Sequence, residues 1–399
     1  MGLFESHHSY LGVDIGSSGI KLVELGDDKG RARLVTYGYT ERSADIVRVD
    51  SKENREMVIE LLKLLLKKSQ VTSKKVVGAL PSYAVFSSII DLPAMPHKEL
   101  AEAVQWEAKK FVPMPIEEMI LDWRELERDV VTRLEGYSFR SAGASVRPLA
   151  GTPKEPSAPF LGGGVTPEKN LSSGMVKSNG SHLQGKSGTK VLITAAPKAL
   201  VGRMIEIFKA AGLELSILET ETFALLRSVI GNDQSPVMLV DFSARVTDLS
   251  IVVAGTPLMT RSMDIGGELI TKTIASTLNI DVDRAEQFKQ DIGVMASARD
   301  GSQIHKTIEF AVTSLINEIR HMLNVYQSQQ GQPIEKIVLA GGSAFLPHLP
   351  QYMSEQLSLK VVIGDPWARV VYPVELKPVL EELGPRFAIA TGLAMREIV

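Results

Sequence analysis

The first 80 residues carry hydrophobic positions in an order that predicts two strands, a helix and a third strand. Residues 11–25 are mostly apolar on both sides of a short Gly-Ser turn, which is typical of a β-hairpin. Residues 52–69 then place apolar side chains at helical spacing and end in two lysines, which suit the negative end of a helix dipole. Residues 74–80 are β-rich again. Residues 1–80 are therefore predicted to begin the first lobe of an α/β protein.

Two smaller segments follow, one on each side of a polar insert. In residues 81–135, a β-rich run at 85–90 precedes a helical stripe at 97–111 and an extended segment that starts near Met119. This pattern predicts a small separate subdomain.

Residues 190–235 are predicted to return to the first lobe and to connect it to the rest of the chain. A strand at 190–196 leads into a helix that Pro197 opens and Gly212 closes. Residues 219–229 then predict a linking helix. The helix after Pro197 is expected to bury one face, formed by Leu200, Val201, Met204, Ile205 and Phe208.

Residues 236–399 repeat the strand-turn-strand pattern and are predicted to form a second lobe. The run at 237–255 reaches an acidic residue, Asp241, before it turns and continues as a strand. Helices are predicted at 281–291 and 305–330. A further strand begins at Lys336 and runs through a Gly-Gly-Ser turn towards a helix.

Residues 136–189 are dominated by Gly, Ser and Pro and are predicted to be a flexible insert, because they hold too little apolar surface to fold. The insert contains GSHLQGKS at 180–187, which satisfies the GxxxxGK[ST] phosphate-loop pattern. A working loop of that kind needs a buried strand before it and a helix after it. The flanking residues are polar before it and β-type after it, so we interpret the match as coincidental.

The composition of the chain argues against several classes of protein. The chain has 399 residues, a net charge of −3 and no cysteine. The charge gives no support for nucleic-acid binding, and the absence of cysteine excludes disulfides and thiol catalysis. No run approaches the ~18 apolar residues of a membrane span. We therefore expect a cytoplasmic protein that reaches the membrane only through partners.

The turn of the first hairpin has the composition of a phosphate-binding site. Gly16 and Gly19 permit tight backbone geometry, and the N–H groups of Ser17 and Ser18 can face an anion. Lys21 adds a positive charge. Asp14 can hold a hydrated Mg²⁺. A plain glycine hairpin without ligand remains the alternative for this segment alone.

The second hairpin is expected to contribute Asp241 and Ser243, with Asp241 ordering Mg²⁺ through water and standing as the candidate catalytic residue. Ala244 and Arg245 follow, and the superfamily resemblance given below implies glycines at these positions, which let a backbone approach a terminal phosphate closely. Arg245 either neutralises phosphate charge or points to solvent. These residues support ATP binding better than ATP hydrolysis, which we expect to be absent or slow.

The two hairpins and the later Gly-Gly-Ser turn, taken in order, resemble the phosphate-1, phosphate-2 and adenosine motifs of the actin, Hsp70 and sugar-kinase superfamily. Within it the chain resembles the PilM family, the cytoplasmic actin-like proteins of type IV pilus assembly. The likeness rests on VDIGSSGIKLVEL, AGLELSILETETFALLRSVIG, GGELITKTIA and NIDVDRAEQFKQ. It covers most of the chain outside the insert.

The resemblance implies a two-lobed actin-like ATPase fold with Mg-ATP between the lobes, and an FtsA-like 1C subdomain at 81–135. It also implies that adenosine is bound by residues of the second lobe. An exposed Glu286–Lys289 ion pair remains the alternative reading of those two residues. The implied adenosine-side residues are Gly266, Gly267, Glu286, Lys289, Gly341, Gly342 and Ser343.

The resemblance further implies an assembly protein of the pilus inner-membrane platform. Its implied partners are the N-terminal cytoplasmic peptide of a PilN-like membrane protein and other platform proteins, and self-association is possible. Two alternatives stay open: a sugar or small-acid kinase of the same superfamily, and an FtsA-like division or cytoskeletal protein. A kinase would need a substrate pocket, and no cluster of sugar-binding Asn, Trp or Asp follows the first hairpin.

Overall fold

A computed structural model describes residues 9–133, 188–294, 303–329 and 331–398. The predicted insert at 136–189 and its phosphate-loop match lie outside the described residues, apart from residues 188 and 189. The described strands are β1 (Ser9–Gly16), β2 (Gly19–Asp28), β3 (Arg31–Tyr39), β4 (Lys75–Leu80), β5 (Phe86–Leu92), β6 (Met119–Glu125), β7 (Thr189–Pro197), β8 (Glu214–Thr220), β9 (Val237–Phe242), β10 (Thr247–Val253), β11 (Thr256–Met263), β12 (Lys336–Ala340), β13 (Lys360–Ile363) and β14 (Val370–Val371). The described helices are α1 (Lys52–Lys68), α2 (His97–Ala108), α3 (Arg128–Arg133), α4 (Lys198–Ala210), α5 (Glu221–Leu225), α6 (Gly267–Leu278), α7 (Val282–Ile292), α8 (Gln303–Ser328), α9 (Leu349–Leu357) and α10 (Lys377–Ala394).

The first lobe is built on a six-stranded sheet in the order β14-β3-β2-β1-β4-β8. Helices α1 and α4 cover one face of this sheet, where Leu11 and Val13 lie in one core with Leu62 and Phe208. Helix α10 covers the opposite face. Because both faces are covered, residues 11–15 of β1 are all buried. Leu11, Val13 and Ile15 alternate with smaller or polar residues. Gly12 leaves room for α10, since a Cβ there would lie 2.2 Å from the Ala390 carbonyl oxygen.

The second lobe is built on a five-stranded sheet in the order β11-β10-β9-β12-β13. Every residue of β9 and β10 is buried. The long helix α8 packs its apolar stripe, including Ile308, Val312 and Ile319, into the same core. The predicted helix at 305–330 is thereby confirmed, with slightly different ends.

The small subdomain is a three-stranded antiparallel sheet, β5-β7-β6, with α2 packed on it. Its central strand, β7, follows the insert and pairs with β5 and β6 along its whole length. The predicted boundary at residue 190 was therefore wrong, because residues 189–197 complete the subdomain sheet. The return to the first lobe begins at α4.

The end of the chain also departs from the predicted domain limits. Residues 236–399 were assigned to the second lobe, yet β14 pairs with β3 and α10 packs on β1 and β2 of the first lobe. The predicted linking helix at 219–229 begins only at Glu221, because residues 214–220 form β8 beside β4. Within α4, Ile205 is exposed rather than buried on the core face.

No helix in the described ranges is both long and apolar enough to cross a membrane.

Candidate functional site

The two hairpins, β1-β2 and β9-β10, line opposite walls of one cavity of about 980 Å³ between the lobes. The predicted site residues that line it are Asp14, Ser17, Ser18, Lys21, Asp241, Ser243, Gly267, Glu286, Lys289, Gly341, Gly342 and Ser343. Gly16 lines a smaller pocket of about 40 Å³ deeper between the hairpins. Gly266 lies next to the large cavity, at the N-cap of α6.

The first hairpin holds its lysine close to its aspartate and turn. The Lys21 ammonium donates a hydrogen bond of 2.6 Å to Ser18 Oγ and lies 3.4 Å from Asp14 Oδ2. Only Gly19 of the two predicted turn glycines has a positive φ, at 118°, and a Cβ there would lie 1.9 Å from the Thr40 carbonyl oxygen. Gly16 has ordinary extended geometry, so the turn depends on Gly19 alone.

The second hairpin is joined to the turn after β12. The Ser243 hydroxyl donates to Asp241 Oδ1 at 3.1 Å, and the Ser343 hydroxyl donates to the Ser243 carbonyl at 3.1 Å. Gly341 has a φ of 82°, and a Cβ there would lie 2.4 Å from Asp241 Oδ1. Glycine at this position therefore allows the third predicted motif to lie directly against the second.

Two buried acids that the sequence analysis did not assign lie behind the predicted site. Asp248 is opposite Asp241 in the register of β9 and β10, and Glu221 begins α5. Both line the small pocket together with Asp14 and Asp241. The signal for Asp248 was present in the sequence, since hairpin register places it across from Asp241. Glu221 could not be placed without the tertiary structure.

Burial governs the ionisation of these acids. Burial raises the pKa of Asp241 to about 6, with the Asp14 charge adding to it and the Ser243 and Lys21 contacts opposing it. Burial likewise raises the pKa of Asp248 to about 7, opposed by a hydrogen bond from Ser262 and reinforced by Asp241. Burial and the charges of three aspartates raise the pKa of Glu221 well above its ordinary range. Each of these acids is therefore protonated more readily than an exposed carboxyl group.

The fit of a divalent cation was tested on the acid side chains themselves. Asp14 Oδ1 is buried and makes no hydrogen bond to any described residue. In the described part of the chain, no three His, Cys, Asp or Glu side chains are grouped so that they could ligate an ion directly. A hydrated ion, held by Asp14 and Asp241 through its water ligands, fits this arrangement, because such an ion needs few direct protein ligands.

Glu286 and Lys289 form an ion pair, and that pair lies in the cavity wall. The Lys289 ammonium donates to Glu286 Oε2 at 2.7 Å and to Thr271 Oγ1 at 3.0 Å. Burial raises the pKa of Glu286, but hydrogen bonds from Lys289 and Thr271 outweigh it and lower the pKa below its usual value. Gly267 lies between this ion pair and the turn after β12, since a Cβ there would lie 2.4 Å from Ser343 Oγ and 3.4 Å from Lys289 Nζ.

Arg245 is paired with two acidic side chains, which corrects the alternative in which it simply points to solvent. Its guanidinium lines the cavity, but Nε donates to Glu268 at 2.7 Å and Nη1 lies 3.6 Å from Asp45 Oδ2. Asp45 belongs to the first lobe and Glu268 to the second. Arg245 is therefore a partnered side chain that reaches across the cleft.

The fold and the site define a class of protein: an actin-like protein with a cleft between two hairpin-bearing lobes. The model of the family "Type IV pilus assembly protein PilM" matches residues 12–133 and 178–398. The chain belongs to this family.

A solved structure described as the PilM-PilN type IV pilus biogenesis complex is similar over 98% of both chains, with 25% identity and a TM-score of 0.73. The ethanolamine utilization protein EutJ from Carboxydothermus hydrogenoformans shares the fold, with 14% identity and a TM-score of 0.51 over 98% of this chain and 91% of that chain. The cell division protein FtsA of Neisseria meningitidis serogroup B is 24% identical over 228 residues, 51% of this chain. That match spans 53% of FtsA, so the chain covers about half the length of this curated relative.

Proposed function

We propose that the cavity between the two hairpins binds Mg-ATP. The observation that carries this proposal is the meeting of Lys21 and the Ser17-Ser18 turn with Asp241 and Ser243 across one cavity. A volume of about 980 Å³ is at the upper end of the range for cofactor sites. Cations, turn amides and carboxylates in one cavity suit a polyphosphate with its metal ion.

Each wall of the cavity has a separate part in this proposal. Lys21 and the N–H groups of the first turn hold the phosphates, and Asp14 and Asp241 orient water on Mg²⁺. The metal ion, when bound, offsets the negative charge of the phosphates. The adenosine lies along the second lobe, beside Gly266, Gly267, Glu286, Lys289 and the turn Gly341-Gly342-Ser343.

Turnover in this proposal is slow. Ala244 offers no polar side chain, and Arg245 is already paired with Glu268 and Asp45. We expect hydrolysis well below the ~1–100 s⁻¹ of typical kinases. Added sugars should not accelerate ATP consumption, which distinguishes the protein from a sugar kinase.

The binding proposal is tested by calorimetry with Mg-ATP on the full chain. Lys21→Ala should weaken binding by roughly ten- to a hundred-fold, because it removes a charge-assisted contact to phosphate of about 1.5–3 kcal/mol. Lys75→Ala is the matched control, since Lys75 is an exposed lysine on a strand of the same sheet. Equal affinity in Lys21→Ala and Lys75→Ala would contradict the phosphate assignment.

The proposed partner is the N-terminal cytoplasmic peptide of a PilN-like inner-membrane protein, which would keep this chain at the cytoplasmic side of the membrane. Its support is the family membership and the similar PilM-PilN complex. We place the peptide between the first lobe and the small subdomain. The Ser82 N–H, at the entry to that subdomain, donates to Glu221 Oε2 at 2.9 Å, and Glu221 lines the small pocket between the hairpins.

A peptide titration tests this part separately. If ATP and peptide binding are coupled, each must change the affinity of the other by the same factor. Affinities of the peptide should therefore be measured for the free and the ATP-loaded protein. Tight but equal affinities would leave the partner intact and contradict nucleotide control of it. Absence of peptide binding in both states would contradict the partner.

A further inference from the structure

Two ion pairs connect the lobes at the edge of the cavity, and their charges have opposite arrangements. Asp45 and Arg48 belong to the first lobe, where they follow β3. Arg245 and Asp264 belong to the second lobe. Arg245 faces Asp45, and Arg48 is hydrogen-bonded to Asp264. Each lobe thus contributes one cation and one anion.

The first-lobe side of this contact is fixed by its own backbone. Asp45 Oδ1 accepts hydrogen bonds from the N–H groups of Val47 at 3.2 Å and Arg48 at 3.0 Å. The side chain of Asn54 donates to the Asp45 carbonyl, which ties the segment to the start of α1. The Arg48 guanidinium also lies 5.4 Å from the centre of the Tyr83 ring. Asp45 and Arg48 are therefore presented in one defined geometry.

The second-lobe side is equally constrained. The Arg245 Nε–Glu268 Oε2 hydrogen bond of 2.7 Å fixes the guanidinium, and Lys272 pairs with the other oxygen of Glu268 at 2.7 Å. The Glu268 N–H donates to the Ala244 carbonyl at 2.8 Å, so the start of α6 is attached to the hairpin that carries Arg245. The guanidinium cannot turn towards solvent without losing Glu268.

The strength of the Arg245–Asp45 contact depends on the burial of Asp45. Asp45 is only 5% exposed, and its Oδ2 makes no hydrogen bond to any described residue. Arg245 Nη1 supplies positive charge 3.6 Å from that oxygen. An exposed pair such as Arg48–Asp264 stabilises little by itself. A buried carboxylate that loses its cation is left uncompensated, which costs far more. That cost applies when Arg245 is replaced while Asp45 stays buried in the closed cleft.

We propose that Arg245 and Arg48, with Asp45, Asp264 and Glu268, form an interlobe latch that holds the cleft closed before any nucleotide binds. Arg245 then joins the two hairpin-bearing lobes in the absence of a ligand. The latch belongs to the ligand-free chain, so it is independent of the proposed ATP binding. It also limits how much additional closure a nucleotide can produce.

The test measures lobe separation in ligand-free protein. The chain has no cysteine, so Lys67→Cys on α1 and Thr277→Cys on α6 give two unique spin-label positions, both exposed. Distances between the labels are measured by pulsed electron spin resonance in this background. Arg245→Gln, Asp45→Asn and Arg48→Glu should each shift the distribution to longer distances or broaden it. The Arg245→Gln/Asp45→Asn double variant should shift no further than the larger single variant, because both remove one interaction.

Two further variants keep the test decisive. Arg48→Glu combined with Asp264→Arg reverses an accessible ion pair and should restore the wild-type distribution, even if Asp45→Asn fails to fold. Arg261→Gln is the matched control, because it removes a 2.8 Å ion pair with Glu318 inside the second lobe. The control should leave the distance unchanged. Unchanged distributions in all folded latch variants, or no rescue by the charge reversal, would overturn the latch.

Discussion

The two hairpins share one topology, but the residue opposite the aspartate differs in charge. In the first hairpin, Asp14 pairs in register with Lys21. In the second hairpin, Asp241 pairs in register with Asp248. Opposite charges across a strand pair stabilise each other, whereas like charges are unfavourable. In the first hairpin the charge of the aspartate is therefore balanced by the lysine opposite it. In the second hairpin, two acids lie opposite each other and neither strand places a cation at that position.

This difference in charge suits the two hairpins to different parts of a ligand. The first hairpin keeps a lysine oriented beside the turn amides, as an anion site requires. The second hairpin raises the pKa of both aspartates by burial, so it takes up protons when no cation is near. A hydrated metal ion between the hairpins would replace those protons. The acidic hairpin is thus better suited to a cation, and the basic hairpin to a phosphate.

The largest expected effect concerns the turn of the first hairpin, which differs from that of the second hairpin in its need for glycine. Gly19→Ala should destabilise the protein by at least about 3 kcal/mol, because a side chain at positive φ would also collide with the Thr40 carbonyl. The second hairpin needs no such glycine, since Ala244 and Arg245 occupy its turn. Denaturant unfolding measures the change.

Gly30→Ala provides the control for this substitution. Gly30 also has a positive φ, of 80°, but no atom lies within 4 Å of a Cβ built there. Gly30→Ala should therefore lower the free energy of unfolding by only about 1 kcal/mol. Equal losses at both positions would show that backbone strain alone, and not the close approach of Thr40, sets the requirement for glycine at the first turn.

A smaller effect should appear in the pH dependence of stability. Asp248 has a folded pKa of about 7, above the unfolded value of 3.8, so the native state binds its proton more tightly between these pH values. Raising the pH through this window removes that proton, and the free energy of unfolding falls. Asp248→Asn should make this fall smaller, although Asp241, whose pKa is also raised, still contributes to it. The variant should be more stable than the wild type at pH 8, by about 2 kcal/mol.

Asp233→Asn should give the opposite sign and so serves as the control. Hydrogen bonds from Lys336 and Ser235 lower the pKa of Asp233 to about 2, so its contribution is present above the unfolded pKa and lost in acid. The variant should be less stable than the wild type at neutral pH. Urea titrations from about pH 2 to 8 compare the two, since the contribution of Asp233 is lost between its unfolded pKa of 3.8 and its folded pKa of about 2. Parallel pH profiles for Asp248→Asn and the wild type would contradict the acidic character assigned to the second hairpin.

Local patterns were sufficient to predict the hairpins and the residues of their turns that line the cavity. Asp14, Lys21 and Asp241 were found because each ends or follows an apolar strand beside a turn. Partners from distant parts of the chain were not predictable in the same way. The pairing of Arg245 with Asp45 joins residues 200 positions apart, and no periodicity records it.

Domain limits failed for a related reason. Strand β7 has the composition of any buried strand, so the sequence could not show that it completes the sheet of β5 and β6 across a long insert. The same holds for α10, whose apolar residues could have packed on either lobe. Its contacts with β1 and β2 are long-range contacts, which local propensity does not specify.

The smallest expected effect separates two lysines that both lie in glycine-rich segments. Lys21 lines the cavity, whereas Lys186 belongs to the segment 180–187 that matches a phosphate-loop pattern. The chain enters strand β7 at Thr189, two residues after that pattern, where a functional loop of this type needs the start of a helix. Lys186→Ala should therefore leave Mg-ATP affinity and the unfolding free energy unchanged within error, measured beside Lys21→Ala in the same calorimetric series. A large loss of affinity in Lys186→Ala, with Lys21→Ala unaffected, would move the nucleotide site from the interlobe cavity to the insert.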